Sequence, residues 1–143
     1  MNDAELRRAM AVLESYDKRL EDLNKQVSLL QSTRDEVLMA DRTLKAFAAA
    51  EPGEELLVPI GASSFVSAVV PEKPEAVIGV GTGVSVQKNF EDASAYMKQN
   101  LDMVNTTLEK AIKALQETQN ATAELSAAVQ EAYRQKQTET SGQ

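Results

Sequence analysis

The sequence predicts an α+β chain: a long antiparallel two-helix coiled coil with two β-hairpins at one end. Three observations carry this. All four prolines and five of the six glycines lie between positions 52 and 83. Both flanks repeat apolar residues every seven positions, as coiled-coil helices do. The middle alternates apolar and polar residues between glycine-bearing turns, as short strands do. Proline and glycine punctuate structure, so a single 143-residue domain divides into an N-terminal helical region (1–51), a turn-rich middle (52–89) and a C-terminal helical region (90–143).

The first helix is expected from about Asp3 to about Ala50, capped by Asn2 or Asp3 and stopped by Pro52-Gly53. Leu6, Leu13, Leu20 and Val27 form one row of its seam. Ala9, Tyr16, Leu23, Leu30, Val37 and Leu44 form the other. Arg34 and Asp41 interrupt the first row, while Val37, Leu38, Leu44 and Phe47 widen the stripe there. The second helix is expected from about Phe90 to about Gln137. Asn89 is its cap, and Glu91 and Asp92 sit where the helix dipole favours them. Its rows are Leu101, Leu108, Leu115, Thr122 and Val129, and Met97, Val104, Ala111, Thr118, Leu125 and Ala132. Small residues (Ala111, Ala114, Thr118, Ala121, Thr122, Ala128) thin this seam, so local bending and opening are expected, although closely packed helices fit these residues equally well. The polar tail RQKQTETSGQ is expected to fray. Folded back on each other, the helices would bring both chain ends to one tip.

Four strands are expected in the middle, at about 56–60, 64–70, 76–80 and 84–88, with turns at Gly61-Ala62-Ser63 and Gly81-Thr82-Gly83. The run Gly79-Val80-Gly81-Thr82-Gly83 raises the question of a phosphate-binding loop. A dinucleotide fingerprint would need glycine at 84, where Val84 stands, and a P-loop would need lysine after Gly83. Val84, Ser85, Val86 and Gln87 alternate as a strand, with no helix start to receive an anion, so a hairpin is predicted. Two isolated hairpins are too small to stand alone in water, and their edges offer unpaired backbone groups to other chains. An obligate oligomer with a shared β body follows from this.

Composition narrows the function classes. The chain has no histidine and no cysteine, which removes the usual general base, the commonest metal ligand and any thiolate nucleophile. Acids are scattered along helix faces rather than converging on a pocket, so neither an enzyme nor a cofactor is expected. A net charge of -7 argues against nucleic-acid binding. The N-terminus MNDAELRRAM lacks a signal-peptide core and no apolar run approaches a membrane span, so a cytoplasmic protein with no membrane association is expected.

The stretches LLVPIGASSFVSAVV and VIGVGTGVSVQKNFEDASAYMKQN, set between two heptad helices, resemble the two hairpins of the alpha class of prefoldin subunits. Beta-class subunits carry one hairpin. Val84 and Ser85 depart from the aromatic residues usual in the family after the glycine turn, but small β-formers keep the strand. The lack of histidine and cysteine and the plain length suggest the archaeal form. The resemblance implies a hexamer of two alpha and four beta-class subunits around a β-barrel body. It further implies an ATP-independent holdase that captures unfolded client proteins at its arm tips and passes them to a group II chaperonin. Leu57, Val58, Ile60, Phe65, Val66, Val69, Val77, Ile78, Val80, Val84 and Val86 are the expected assembly residues. Leu6, Ala9, Met10, Val12, Leu13, Val129, Ala132 and Tyr133 are the candidate client contacts, because the apolar set near the paired termini is wider than a seam needs. The same tip residues also fit an ordinary seam. A filament-forming or scaffold coiled-coil adaptor uses the same heptads and stands as the alternative.

Overall fold

The computed structural model describes residues 1–142. Its elements are α1 (Asp3–Ala49), β1 (Glu55–Gly61), β2 (Ser64–Val69), β3 (Glu75–Gly81), β4 (Val84–Asn89) and α2 (Phe90–Ser141). They divide into two compact units: Met1–Gln31 with the chain from Thr107 onward, and Ser32–Thr106.

In the first unit, α1 begins with a capping box. The Glu5 N–H donates to Asn2 Oδ1 and the Asn2 N–H donates to Glu5 Oε2, each at 2.8 Å, so Asn2 rather than Asp3 is the cap. Every seam position from Leu6 to Leu30 on α1, and from Leu108 to Ala132 on α2, is buried or half-buried, as the heptads require. Leu6 and Ala9 pack with Val129 and Ala132, flanked by Leu13 and Leu125, so the segments run antiparallel. In the thin stretch of the seam Thr118 is buried and its hydroxyl donates to the Ala114 carbonyl at 2.7 Å, while the half-buried Thr122 donates to the Thr118 carbonyl at 2.7 Å.

The tail differs from expectation. Instead of ending near Gln137 and fraying, α2 continues to Ser141. The hydroxyls of Thr138, Thr140 and Ser141 donate to the carbonyls of Arg134, Lys136 and Gln137, and Lys136 forms an ion pair with Asp3 on α1. Polar composition here supplies local partners for the last turns. Gln143, the end of the expected tail, lies outside the described residues.

In the second unit all four strands fall within one residue of their expected bounds. After α1, Gly53 takes φ +92°, a left-handed turn that glycine adopts without strain. Its N–H donates to the Val70 carbonyl at 2.9 Å, and the Val70 N–H donates to the Glu54 carbonyl at 2.9 Å, closing the base of the first hairpin. The loops are two residues long, Ala62-Ser63 (φ +50°, +56°) and Thr82-Gly83 (+49°, +75°), the sign that type I′ hairpin turns need at both positions. The glycine run therefore joins two strands, and no helix start follows it.

The two hairpins are copies of one another in register. Glu55 pairs with Val69 as Glu75 pairs with Asn89, and Val58 with Val66 as Ile78 with Val86. Each first strand carries a bulge at the matching place, between Pro59 and Gly61 and between Gly79 and Gly81. Even the end contacts correspond: Ser67 Oγ donates to Glu55 Oε1 in one, Gln87 Nε2 to Glu75 Oε2 in the other. The hairpins form two separate two-stranded sheets, so among the described residues each strand has one edge without a ladder partner. Beneath them Phe47 of α1 meets Phe90 of α2 edge-to-face at 5.8 Å, and Val70, Ile78, Phe90 and Ala93 are buried.

Candidate functional site

The hairpins hold the largest set of exposed apolar side chains. Strands with alternating side chains bury one face when that face meets a second layer. Here Leu57, Ile60, Phe65, Val66, Val69, Val77, Val80, Val84 and Val86 are all exposed, Leu57 at 70% and Val77 at 73%. Of the expected assembly residues, Val58 is half-buried and Ile78 is buried, at 4% exposed. Ile78 faces inward, where it lines a groove of about 400 Å³ with Met39, Leu44, Val58 and Met97. It packs within this chain and is not available as a contact surface. An adjoining groove of about 540 Å³ lies between Leu38, Met39 and Phe47 of α1 and Leu57, Pro59 and Phe65 of the first hairpin. Apolar surface on this scale, beside unpaired strand edges, suits burial against another chain.

The candidate client residues divide sharply. Leu6, Ala9, Val129 and Ala132 are each under 9% exposed and spend their apolar surface on one another. They are seam residues, because a heptad pair at the end of two antiparallel helices closes on itself. Leu13 is half-buried against the same cluster. Met10, Val12 and Tyr133 are exposed. Met10 and Tyr133, with Leu13, line a shallow groove of about 750 Å³ rimmed by Asp3, Arg7, Glu14, Asp17 and Lys136. Beside it Arg134 grips Glu131 through Nε at 3.1 Å and Nη2 at 2.8 Å. That hydrogen bond, then the guanidinium charge, holds the Glu131 carboxyl below its usual range and raises Arg134.

Sequence reasoning missed Ser94. Extending the row Leu101, Leu108, Leu115 back by seven reaches it, and it meets Asp41 on α1, with Ser94 Oγ donating to Asp41 Oδ1 at 3.2 Å. Among the described residues no group of three or more His, Cys, Asp or Glu is placed to hold a metal ion, and no helix is long and apolar enough to cross a membrane.

The fold and its exposed hairpins define a class of α+β coiled-coil proteins that carry β-hairpins between two long helices. A prefoldin-subunit family model matches residues 16–135, and the chain belongs to the prefoldin family, whose members are chaperone subunits and not enzymes. Its relatives include alpha subunits of archaea. It is 29% identical to prefoldin subunit alpha of Pyrococcus horikoshii over 98% of this chain and 95% of that one. It is 25% identical to that of Methanocorpusculum labreanum over 94% and 92%. Human prefoldin subunit 5 is 32% identical over 71% of this chain and 66% of its own. Among solved structures, a filamentous prefoldin from Methanocaldococcus jannaschii superposes with a TM-score of 0.61 at 23% identity, covering 80% of this chain and 95% of that one. The prefoldin beta subunit from a Thermococcus strain gives 0.59 at 16% identity, covering 90% and 91%. These last two speak for the fold.

Proposed function

We propose that the chain is the alpha-class subunit of an ATP-independent holdase, assembled with beta-class subunits as a hexamer of two alpha and four beta. The observation that carries this is the row of nine exposed apolar residues on strands with unpaired edges. Hairpins from neighbouring subunits complete these sheets into a β-barrel body, removing the edges. Met10, Val12 and Tyr133 contact unfolded clients, which are then handed to a group II chaperonin in the cytoplasm. Methionine suits such a site because it is flexible and polarizable. Each contact is weak, so capture relies on several subunits acting on one client.

A second reading has one observation behind it. The relative from Methanocaldococcus jannaschii is a filamentous prefoldin. Open strand edges also permit head-to-tail addition without closure. Co-expression with a beta-class subunit, then sizing and electron microscopy, separates the two: a closed particle of six chains supports the hexamer, open polymers the filament. The same particle should suppress aggregation of a denatured test protein without ATP. The triple variant M10S/V12S/Y133S should assemble but lose that protection, and full protection would place client binding elsewhere.

A further inference from the structure

We infer that Asp41 and Ser94 form a polar layer that sets the register of α1 against α2 in the second unit. Both occupy seam positions that heptads reserve for apolar residues: Asp41 follows Val27 and Arg34 in its row, and Ser94 precedes Leu101 in the facing row. The Asp41 side chain is 13% exposed. Its two oxygens are separately engaged, Oδ1 by Ser94 Oγ at 3.2 Å and Oδ2 by Lys45 Nζ at 2.7 Å. The Phe47–Phe90 pair lies beside the layer, at the point where both helices give way to the hairpins.

Apolar heptads are nearly degenerate under a slip of seven residues, because leucine then faces leucine again. A polar layer is not degenerate. Sliding α2 by one heptad sets Leu101 against Asp41, so the carboxylate keeps Lys45 but loses Ser94. A half-buried carboxylate that loses one of its two partners to an apolar side chain is disfavoured, and this penalises the slipped registers. Asp41 is therefore a positioning residue: it gives up apolar burial and gains a unique alignment, which fixes the roots of both hairpins.

The chain has no native cysteine, so a spin-label pair can be placed without background. Labels at Ala46→Cys and Gln99→Cys, both exposed and both in the second unit, report the alignment by pulsed dipolar spectroscopy of the full chain. With Asp41 and Ser94 present, one distance is expected. In D41L/S94L, a second population should appear, displaced by up to about 10 Å, the rise of seven helical residues. Its melting temperature should stay equal or rise, which excludes unfolding as the cause. Asp41→Asn keeps an acceptor for Ser94 and should keep the single distance. A single unchanged distance in D41L/S94L overturns the inference. Two distances before any substitution overturn it as well, and loss of the single distance in Asp41→Asn overturns the hydrogen bond as its basis.

Discussion

The two units treat apolar residues in opposite ways. Where α1 through Gln31 pairs with α2 from Thr107, the leucines and valines of the heptad rows face each other and are buried or half-buried. In Ser32–Thr106 the strands leave nine large apolar side chains exposed and pair only within their own hairpins. Both units draw on similar residues, mainly Leu, Val and Ala. The difference is geometric. A helix with a seven-residue repeat needs one partner helix to cover its stripe, and the chain supplies that partner. A two-stranded sheet has two faces and two edges, and this chain covers only part of one face. One unit is complete as it stands, while the other is shaped for completion by neighbours.

The largest effect should come from breaking the strands. Val58→Pro or Val86→Pro removes a ladder donor and forces a kink, so the assembly should fall apart while most helical signal persists. Size-exclusion chromatography with circular dichroism checks this, and an unchanged oligomer would remove the hairpins from the interface. Next comes the exposed face. Leu57→Ser with Phe65→Ser costs the isolated chain little, because both side chains already meet water. If they are buried on assembly, each forfeits about 1.5–3 kcal/mol, at least tenfold in affinity per site. Sedimentation over a dilution series would show it.

The complete unit should respond in the opposite sense. Leu6→Ala opens the cluster with Val129 and Ala132 and should destabilise it by about 2 kcal/mol, without changing the oligomer. Met10→Ser, at an exposed position, should leave stability within about 0.5 kcal/mol. Hydrogen exchange at the helix ends distinguishes the two. The smallest effect belongs to Glu131. Its carboxyl is depressed by Arg134, so the pair's contribution is present above the ordinary carboxylate pKa and is lost as pH falls through the lowered value. Both side chains are exposed to solvent, so Glu131→Gln should not shift the melting curve measurably at pH 7.

Much of this was legible in the sequence because it depends on period. The heptad rows, the strands and the Asn89 cap, whose Oδ1 accepts from the Asp92 N–H at 2.8 Å, all follow from spacing and residue type. What was not legible depends on facing. Ile78 and Val77 look alike in the sequence, yet one is buried and the other is among the most exposed of the large apolar residues. Leu6 and Met10 both suggested contact surface, and only the packing of Val129 and Ala132 separates them. Ser94 belongs to a row whose apolar members begin seven residues later, so a search for hydrophobic repeats passes over it. The last turns of α2 depend on hydroxyls folding back onto their own carbonyls, a contact that composition alone does not announce.

The matched registers of the two hairpins bear on how many neighbours one chain can link. Each position in the first has its counterpart twenty residues later, from Glu55 and Glu75 to Gly61 and Gly81. Deleting residues 61–80 would join Ile60 to Gly81, with bulge, turn and pairing all in phase. If each hairpin joins one neighbour, as proposed, the product would be monovalent where the natural chain is bivalent. In a mixture it should act as a terminator, shortening assemblies in proportion to its share, as counting particle masses would reveal. Valence would then be a modular quantity, adjustable by one in-phase excision that leaves the flanking helices untouched.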